Sequence, residues 1–431
     1  MKVNKEVRKI SSEFHKQGYS LYLVGGYVRN SLMNLTSTDL DITSNMPVEE
    51  VIKLCDNLGA KCKSINRRLG SIQITYNNTT LEYTQFRKES YSSNKEHTPN
   101  QVDFVEDIAT DVLRRDFTIN SIYYDIHKSQ IVDLVGGVKD IARRSLRTPR
   151  DPYETLSDDG LRILRGIRFA NTYGLKISRK TYKCMQIYSP LLRSISKERI
   201  LSELEKIVVS DLSYNISSPT FVSMLNDCNV YKYIFGLTNE NRLPKISRKL
   251  EKSIYTLPSQ CRLIGLLVAI IISIVREDIP HNQLSYIIET TLGIDGLKAS
   301  RNTISIVEKL SLIISNLNHD KDITNASINY LTMSDNERLI VESFVTKQGK
   351  SRLDNTIKFV KANNLPLSIH QLDISAQEII DLNIDSKYVS KILSTLYNQV
   401  LNMSVPNNKI HLGKLAIDIN NTFKKTKGDR T

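Results

Sequence analysis

The chain has 431 residues, 40% of them hydrophobic and 24% charged, which allows roughly two to four domains with packed cores. Its formal net charge of +13 favours a polyanionic partner such as nucleic acid, with a Lys-, Ile- and Asn-rich composition as the plainer account. The five cysteines (Cys55, Cys62, Cys184, Cys228, Cys261) are odd in number and form no C-x-x-C pair, which speaks against a disulfide framework and a structural zinc site and fits a reducing cytoplasm.

The N-terminal sequence has no apolar core of the secretory type, and residues 4–17 read as a helix. Residues 20–24 (SLYLV) predict a short strand ending at Gly25-Gly26. Residues 39–43 (DLDIT) alternate, so Asp39 and Asp41 are expected on one face of a strand. A helix is expected over 47–58, and a hairpin over 71–76 and 80–86 around Asn77-Asn78. Asp116 leads into a further helix or strand, and residues 131–134 predict another strand. From about residue 155 strand signals nearly vanish and helical periodicity runs to the end. The fold class is therefore α/β then all-α, with the main boundary near the Arg-rich stretch 143–150. Residues 263–275 (LIGLLVAIIISIV) are too few to span a bilayer, which needs roughly 20, and read as a buried core helix. No fixed-period repeat or low-complexity tract is present, and no membrane partner is expected.

Three constellations carry chemistry. In the first, Gly25 and Gly26 let the backbone approach a phosphate, and Arg29 on the following helix reaches the same group. Asp39 and Asp41 then supply hard oxygen ligands for Mg²⁺; two such ions activate a hydroxyl nucleophile and stabilise departing pyrophosphate. The plainer account is a turn and two surface acids. In the second, Arg114 and Arg115 suit a triphosphate and Asp116 a ribose hydroxyl, against a basic turn with Asp116 as a helix cap. The third is SDDGLRILRGIRFA, residues 157–170. Read as one helix, it starts at Ser157 as N-cap, lines up Arg162, Arg165 and Arg168, and buries Ile163, Leu164, Ile167 and Ala170 on the other arc. An Asp159–Arg162 ion pair is the modest account. The sharper one is base readout: a carboxylate accepts from an exocyclic amino group and a guanidinium donates to a ring acceptor, a pattern shared by cytosine and adenine but not guanine or uracil. Each good bidentate contact discriminates by about 1–3 kcal/mol.

These blocks, in this order, resemble the class II tRNA nucleotidyltransferase (CCA-adding) and bacterial poly(A) polymerase family. The resemblance runs from about residue 21 to 204 and rests on LYLVGGYVRNSL, TDLDIT, LEYTQFRKESY, LRRDFTINSIYYD, IVDLVGGVKDI and SDDGLRILRGIRFA, with SKERILSELEKI (196–207) as the last shared motif. It implies metal-binding carboxylates at Asp39 and Asp41 and a third catalytic acid at Glu82. It implies phosphate contacts at Gly25, Gly26, Arg29 and Arg115, and sugar-side contacts at Asp116 and Asn120. Asp159 and Arg162 correspond to an amino-acid template for the incoming base, and Arg165 and Arg168 to further nucleotide contacts. The implied reaction is CCA addition to tRNA from CTP and ATP. Alternatives are a poly(A) polymerase, an enzyme adding only CC or only A, and, from another class, a non-catalytic RNA-binding protein.

The implied organisation is a nucleotidyltransferase head (1–142), a base-recognising neck (143–210), a helical body (211–330) and a tRNA-binding tail (331–431). Departures from the family pattern are Asn30 for Asp, Asp158 for Glu, Ser121 for Ala, and Glu96 for Arg in the loop linked to switching from C to A addition. Residues 372–401 are similar to the C-terminal segment of bacterial CCA-adding enzymes, with Ala376, Asn383 and Lys387 near the usual glycines. His281, His319, His370 and His411 are scattered, so an appended phosphohydrolase domain is not expected.

Overall fold

The computed structural model describes residues 1–91, 99–214, 216–235, 244–275, 281–294 and 296–428. The loop residue Glu96 lies outside them. Two compact units are present: residues 1–246 with 289–300, and residues 247–288 with 301–431. The expected change of character near 143–150 falls inside the first unit.

The first unit begins with α1 (Lys5–Lys16), capped by Asn4 and burying Val7, Ile10 and Phe14 at helical spacing. Next come β1 (Tyr22–Val24), α2 (Gly26–Leu32), β2 (Asp41–Ser44), α3 (Val48–Asn57), β3 (Lys61–Asn66), β4 (Ser71–Tyr76) and β5 (Thr79–Gln85). They are followed by β6 (Arg87–Ser90), β7 (Gln101–Phe104), α4 (Ile108–Leu113), β8 (Tyr123–Asp125), β9 (Gln130–Val132) and α5 (Gly137–Ala142). Seven strands form one mixed sheet in the order β3-β4-β5-β2-β1-β8-β9, in which β2 and β5 run parallel and the other pairs antiparallel. The hairpin of β4 and β5 is as expected. Asn77 and Asn78 both take the left-handed conformation that a tight two-residue turn requires.

Register decides what each face carries. Tyr124, Leu23, Ile42, Tyr83 and Ile72 stand opposite one another across five strands and pack into the core with α1 and α3. The neighbouring row, one residue along each strand, faces the other way: Tyr123, Val24, Asp41, Glu82 and Gln73. The acids thus sit on the face opposite the core.

Two expectations are corrected here. The strand begins at Asp41, not Asp39; Asp39 is exposed on the approach, although the Glu82 amide still donates to the Leu40 carbonyl at 2.9 Å. Asp116 leads not into a long element but into a 3-10 turn (Thr118–Asn120) before β8.

The unit continues with β10 (Ser145–Leu146), α6 (Pro152–Asp158), α7 (Leu161–Tyr173), β11 (Lys176–Ile177), α8 (Arg179–Tyr188), α9 (Lys197–Val208), α10 (Phe221–Asp227) and α11 (Val230–Ile234). Ser157 does not start a helix. It lies in the last turn of α6, which is capped by Asp151 with Pro152 at the first position, where a missing N–H costs nothing. The chain breaks at Asp159 (φ −143°, ψ 107°) and restarts at Gly160, whose hydrogen would be replaced by a Cβ only 2.9 Å from Leu191.

The second unit contains only helices among its described regular elements. It holds α12 (Arg248–Thr256), α13 (Ser259–Ile274), α14 (His281–Leu292, which crosses the sequence boundary at 288), α15 (Arg301–His319), α16 (Ile323–Leu331), α17 (Asp335–Phe344) and α18 (Lys347–Ala362). After these come α19 (Ala376–Asp381), α20 (Ser386–Leu401) and α21 (Lys409–Gly428). The apolar stretch at 263–275 forms most of α13 and is buried from Gly265 to Ile271, as expected. Leu372, Ile379, Ile392, Leu396 and Leu412 join α19, α20 and α21 around a small core of their own. No described helix is long and apolar enough to cross a membrane.

Candidate nucleotide and metal site

Gly25 links β1 to α2 with φ +73°, which only glycine adopts without strain. An added Cβ would stand 3.1 Å from Asp41 Oδ2, so this glycine also makes room for the carboxylate. Asp41 is the direct cross-strand partner of Glu82, and cross-strand partners share a face. Burial raises the Asp41 carboxyl above its ordinary value, and the Glu82 charge raises it further. Arg115 and Arg29 pull it back, while Asp39 adds to the rise. Four charged groups, Glu82, Asp39, Arg115 and Arg29, therefore act on one carboxylate. Among the described residues, no three acidic, histidine or cysteine groups form a ready-made metal cage. The donor chemistry nevertheless fits a hard divalent cation: neighbouring carboxylates that repel one another are relieved by positive charge.

Arg29, on α2, is 6% exposed. Its Nη groups donate to Asn120 Oδ1 and the Tyr173 hydroxyl, its Nε donates to Asn30 Oδ1 at 3.1 Å, and it lies 4.4 Å from the Tyr173 ring centre. Burial lowers its pKa, partly offset by Tyr173 and Asp116. Asn120 donates in turn to Asp116 Oδ1 at 3.1 Å. Asp116 also receives Arg165 through Nε at 2.8 Å and Nη2 at 2.6 Å, a side-on pair. Burial pushes the Asp116 carboxyl up, but Arg165 and Asn120 outweigh it and hold it at about 2. Asp116 is not the helix cap of the plainer account; it accepts from side chains and from the Phe117 amide.

The arginines of α7 do not form an unpartnered basic stripe. Arg162 is buried and donates to the Thr155 and Arg114 carbonyls at 2.8 and 2.7 Å. Arg165 holds Asp116, and Arg168 donates to Glu203 of α9 at 2.8 Å. The compensating acids come from other elements, so the α7 sequence alone did not reveal them. Ile163, Leu164, Ile167 and Ala170 are buried as expected. Asp159 accepts from the Leu161 amide at 3.0 Å and from Arg199 of α9 at 3.1 Å.

Asp111 was missed. Fully buried on α4, it accepts from Arg114 Nε at 2.8 Å, Arg115 Nη2 at 3.0 Å and the Tyr123 hydroxyl. Arg115 Nε also donates to Tyr123 at 2.7 Å. The signal was present: Asp111 precedes Arg114 and Arg115 by three and four residues, the spacing at which helical side chains meet. Tyr173, which fixes Arg29, carried no such signal.

The site is a mixed sheet with a glycine turn beside cross-strand acids, continued by helices whose arginines bond to acids of the same unit. Comparison with known proteins narrows this. Residues 21–147 match the family described as the poly A polymerase head domain, and residues 174–239 the one described as the probable RNA and SrmB-binding site of polymerase A. Over 205 residues the chain is 33% identical to a CCA-adding enzyme of Enterococcus faecalis, covering 48% of this chain and 49% of the relative. With a CCA-adding enzyme of Staphylococcus saprophyticus it shares 35% over 205 residues, 47% of this chain and 50% of the relative. The chain thus matches about half the length of these curated relatives.

Fold likeness extends further. The Bacillus stearothermophilus CCA-adding enzyme in complex with CTP superimposes with a TM-score of 0.58 at 19% identity, over 98% of both chains. The Thermotoga maritima CCA-adding enzyme complexed with tRNA gives 0.61 at 16%, over 97% of this chain and 96% of that one. The sequence matches thus lie in residues 21–147 and 174–239, and the likeness to these solved CCA-adding enzymes is one of fold.

Proposed function

We propose that this chain is a cytoplasmic, template-independent nucleotidyltransferase that adds CCA to the 3′ end of tRNA from CTP and ATP. The observation that carries the reading is Asp41 paired across strands with Glu82, raised in pKa, beside a glycine turn that leaves room for it. The primer's terminal 3′-hydroxyl attacks the α-phosphate, and pyrophosphate leaves. Asp39 and Asp41 are the residues that would hold Mg²⁺, with Glu82, the cross-strand neighbour of Asp41, as the third acid. Bound there, the ions lower the pKa of the attacking hydroxyl and neutralise charge on the leaving group.

The chain's own groups position the reactants. Gly25 and Gly26 bring backbone amides to the phosphates. Arg29 and Arg115, both of which act on the Asp41 carboxylate, orient them, and Arg165 and Arg168 add further cationic contacts. Asp116 and Asn120 serve the sugar, and Asp159 with Arg162 reads the base edge. In this reading residues 1–142 catalyse, 143–210 select the base, and 211–330 and 331–431 grip the tRNA through shape and phosphate contacts.

The test supplies tRNA lacking its 3′ end with labelled CTP, ATP or both, and sizes the products. Two C and then one A is the expected result. CC alone, A alone or a long A-tail would each identify a different polymerase activity, and no incorporation would leave an RNA-binding protein. Asp39→Ala is expected to lose nearly all turnover while still retaining tRNA on a filter; wild-type rates in that variant would refute the metal assignment.

A further inference from the structure

At the break between α6 and α7, two consecutive acids meet three arginines. Asp159 is held by Arg199 at 3.1 Å. Asp158 Oδ2 accepts from Arg150 Nη2 and also lies 3.8 Å from Arg162 Nη1. Arg150 comes from the segment before α6 and reaches Glu154 Oε2 with its other Nη at 3.1 Å. Its Nε is buried and makes no hydrogen bond among the described residues, so only the two carboxylates anchor it.

One oxygen, Asp158 Oδ2, is therefore within range of two guanidiniums. Arg150 is bonded to it, and Arg162 is held short of it by the Thr155 and Arg114 carbonyls. We propose that Arg150 is a positioning residue for base selection: by occupying Asp158, it prevents that carboxylate from drawing Arg162 out of its base-reading position.

The argument is one of competition. Asp158 and Arg162 are four residues apart, and their side chains are 19% and 7% exposed, so attraction between them is only partly screened. Without Arg150, the nearest cation to Asp158 is Arg162. Closing the remaining gap would cost Arg162 its bond to the Thr155 carbonyl and turn the plane of the guanidinium. A guanidinium reads a base through the direction of its donors, so rotation degrades selection more than binding. Burial raises the Asp158 carboxyl, while Arg150 and Arg162 both pull it down, so the two arginines act on the same carboxylate.

This inference rests on the nucleotidyl-transfer reading. The experiment measures incorporation of CTP against UTP, as kcat and KM separately, on tRNA lacking its 3′ end. It uses the wild-type chain, Arg150→Met, and Arg150→Met combined with Asp158→Asn. Arg150→Met is expected to lower the CTP preference about tenfold, the scale of one lost oriented contact. The double variant, in which the competing charge is gone, is expected to recover most of it. A general packing defect would be shared by both variants, so recovery separates positioning from structure. Unchanged preference in Arg150→Met, or failure of Asp158→Asn to restore it, overturns the proposal while the wild-type chain still incorporates CTP. A wild-type chain that incorporates nothing overturns the underlying reading and the proposal with it.

Discussion

Replacing Asp111 by Asn removes one negative charge from a site where two arginines and a tyrosine converge on it. Asp111 is fully buried and holds Arg114 at 2.8 Å and Arg115 at 3.0 Å. Its Oδ1 also accepts from the Arg87 amide at 3.2 Å. Without the charge, Arg115 keeps only the Tyr123 hydroxyl of this set, and Arg114 keeps Glu89 at 3.5 Å. Breaking a buried ion pair from one side costs about 3–5 kcal/mol. Asn preserves the volume and one acceptor, so the lower end, about 3 kcal/mol, is expected. For a unit of this size each kcal/mol moves the midpoint by about 2–4 °C, giving a loss of about 6–12 °C by calorimetry at neutral pH.

The pH dependence tests the cause. Burial pushes the Asp111 carboxyl up, but Arg115, Arg114 and the Tyr123 hydroxyl outweigh it and hold it well below the usual range. A depressed folded value means stability that is present above the unfolded carboxyl value and lost as pH falls through the folded one. The gap between wild type and variant should therefore narrow below about pH 4. A midpoint within about 2 °C of wild type at neutral pH, or a gap that persists on acidification, would refute the charge argument.

Gly25→Ala adds a Cβ at 3.1 Å from Asp41 Oδ2 on a backbone at φ +73°, a strain of about 1–3 kcal/mol. Its expected signature is a fall in kcat of about tenfold or more, out of proportion to a drop of a few degrees in melting temperature; a wild-type kcat would contradict the assignment of this turn. A second expectation concerns Asp41, whose pKa burial and Glu82 raise. Its contribution to stability is present below the unfolded value and lost as pH rises through the folded one, so the ionised form is the strained form. Mg²⁺ should accordingly raise the melting temperature more at about pH 7.5 than at about pH 5, where protons compete for the same oxygens; equal shifts would place the ion elsewhere.

The strands were legible because burial on one face imposes a period of two, and a strong period survives in a single sequence. Residues 71–76 and 80–86 declared a hairpin through alternation and an Asn-Asn turn, and the structure has it. What alternation does not reveal is which strands become neighbours. Asp41 meets Glu82 because β2 and β5 pair in parallel across an intervening helix and two strands. Nothing near Asp41 encodes that pairing; only the family resemblance suggested Glu82.

The α6–α7 break was misread for a related reason. Ser157 followed by acids has the chemistry of a helix start, but Asp151-Pro152 has it too and comes first, so the helix opened there and Ser157 was left in its last turn. Gly160 then restarts the chain where Leu191 leaves no space for a side chain. The sequence lines up the arginines of α7 but does not name the acids that hold Arg165 and Arg168. Asp116 comes from the turn after α4 and Glu203 from α9, so their pairing depends on how the elements pack. The consequence is physical. Arg165 and Arg168 are held in place by carboxylates before any nucleotide arrives, with their rotamer freedom spent during folding rather than on binding. In the proposed reaction they are thus better suited to orienting a triphosphate than to supplying its counter-charge, a task that would fall to the cation assigned to Asp39 and Asp41.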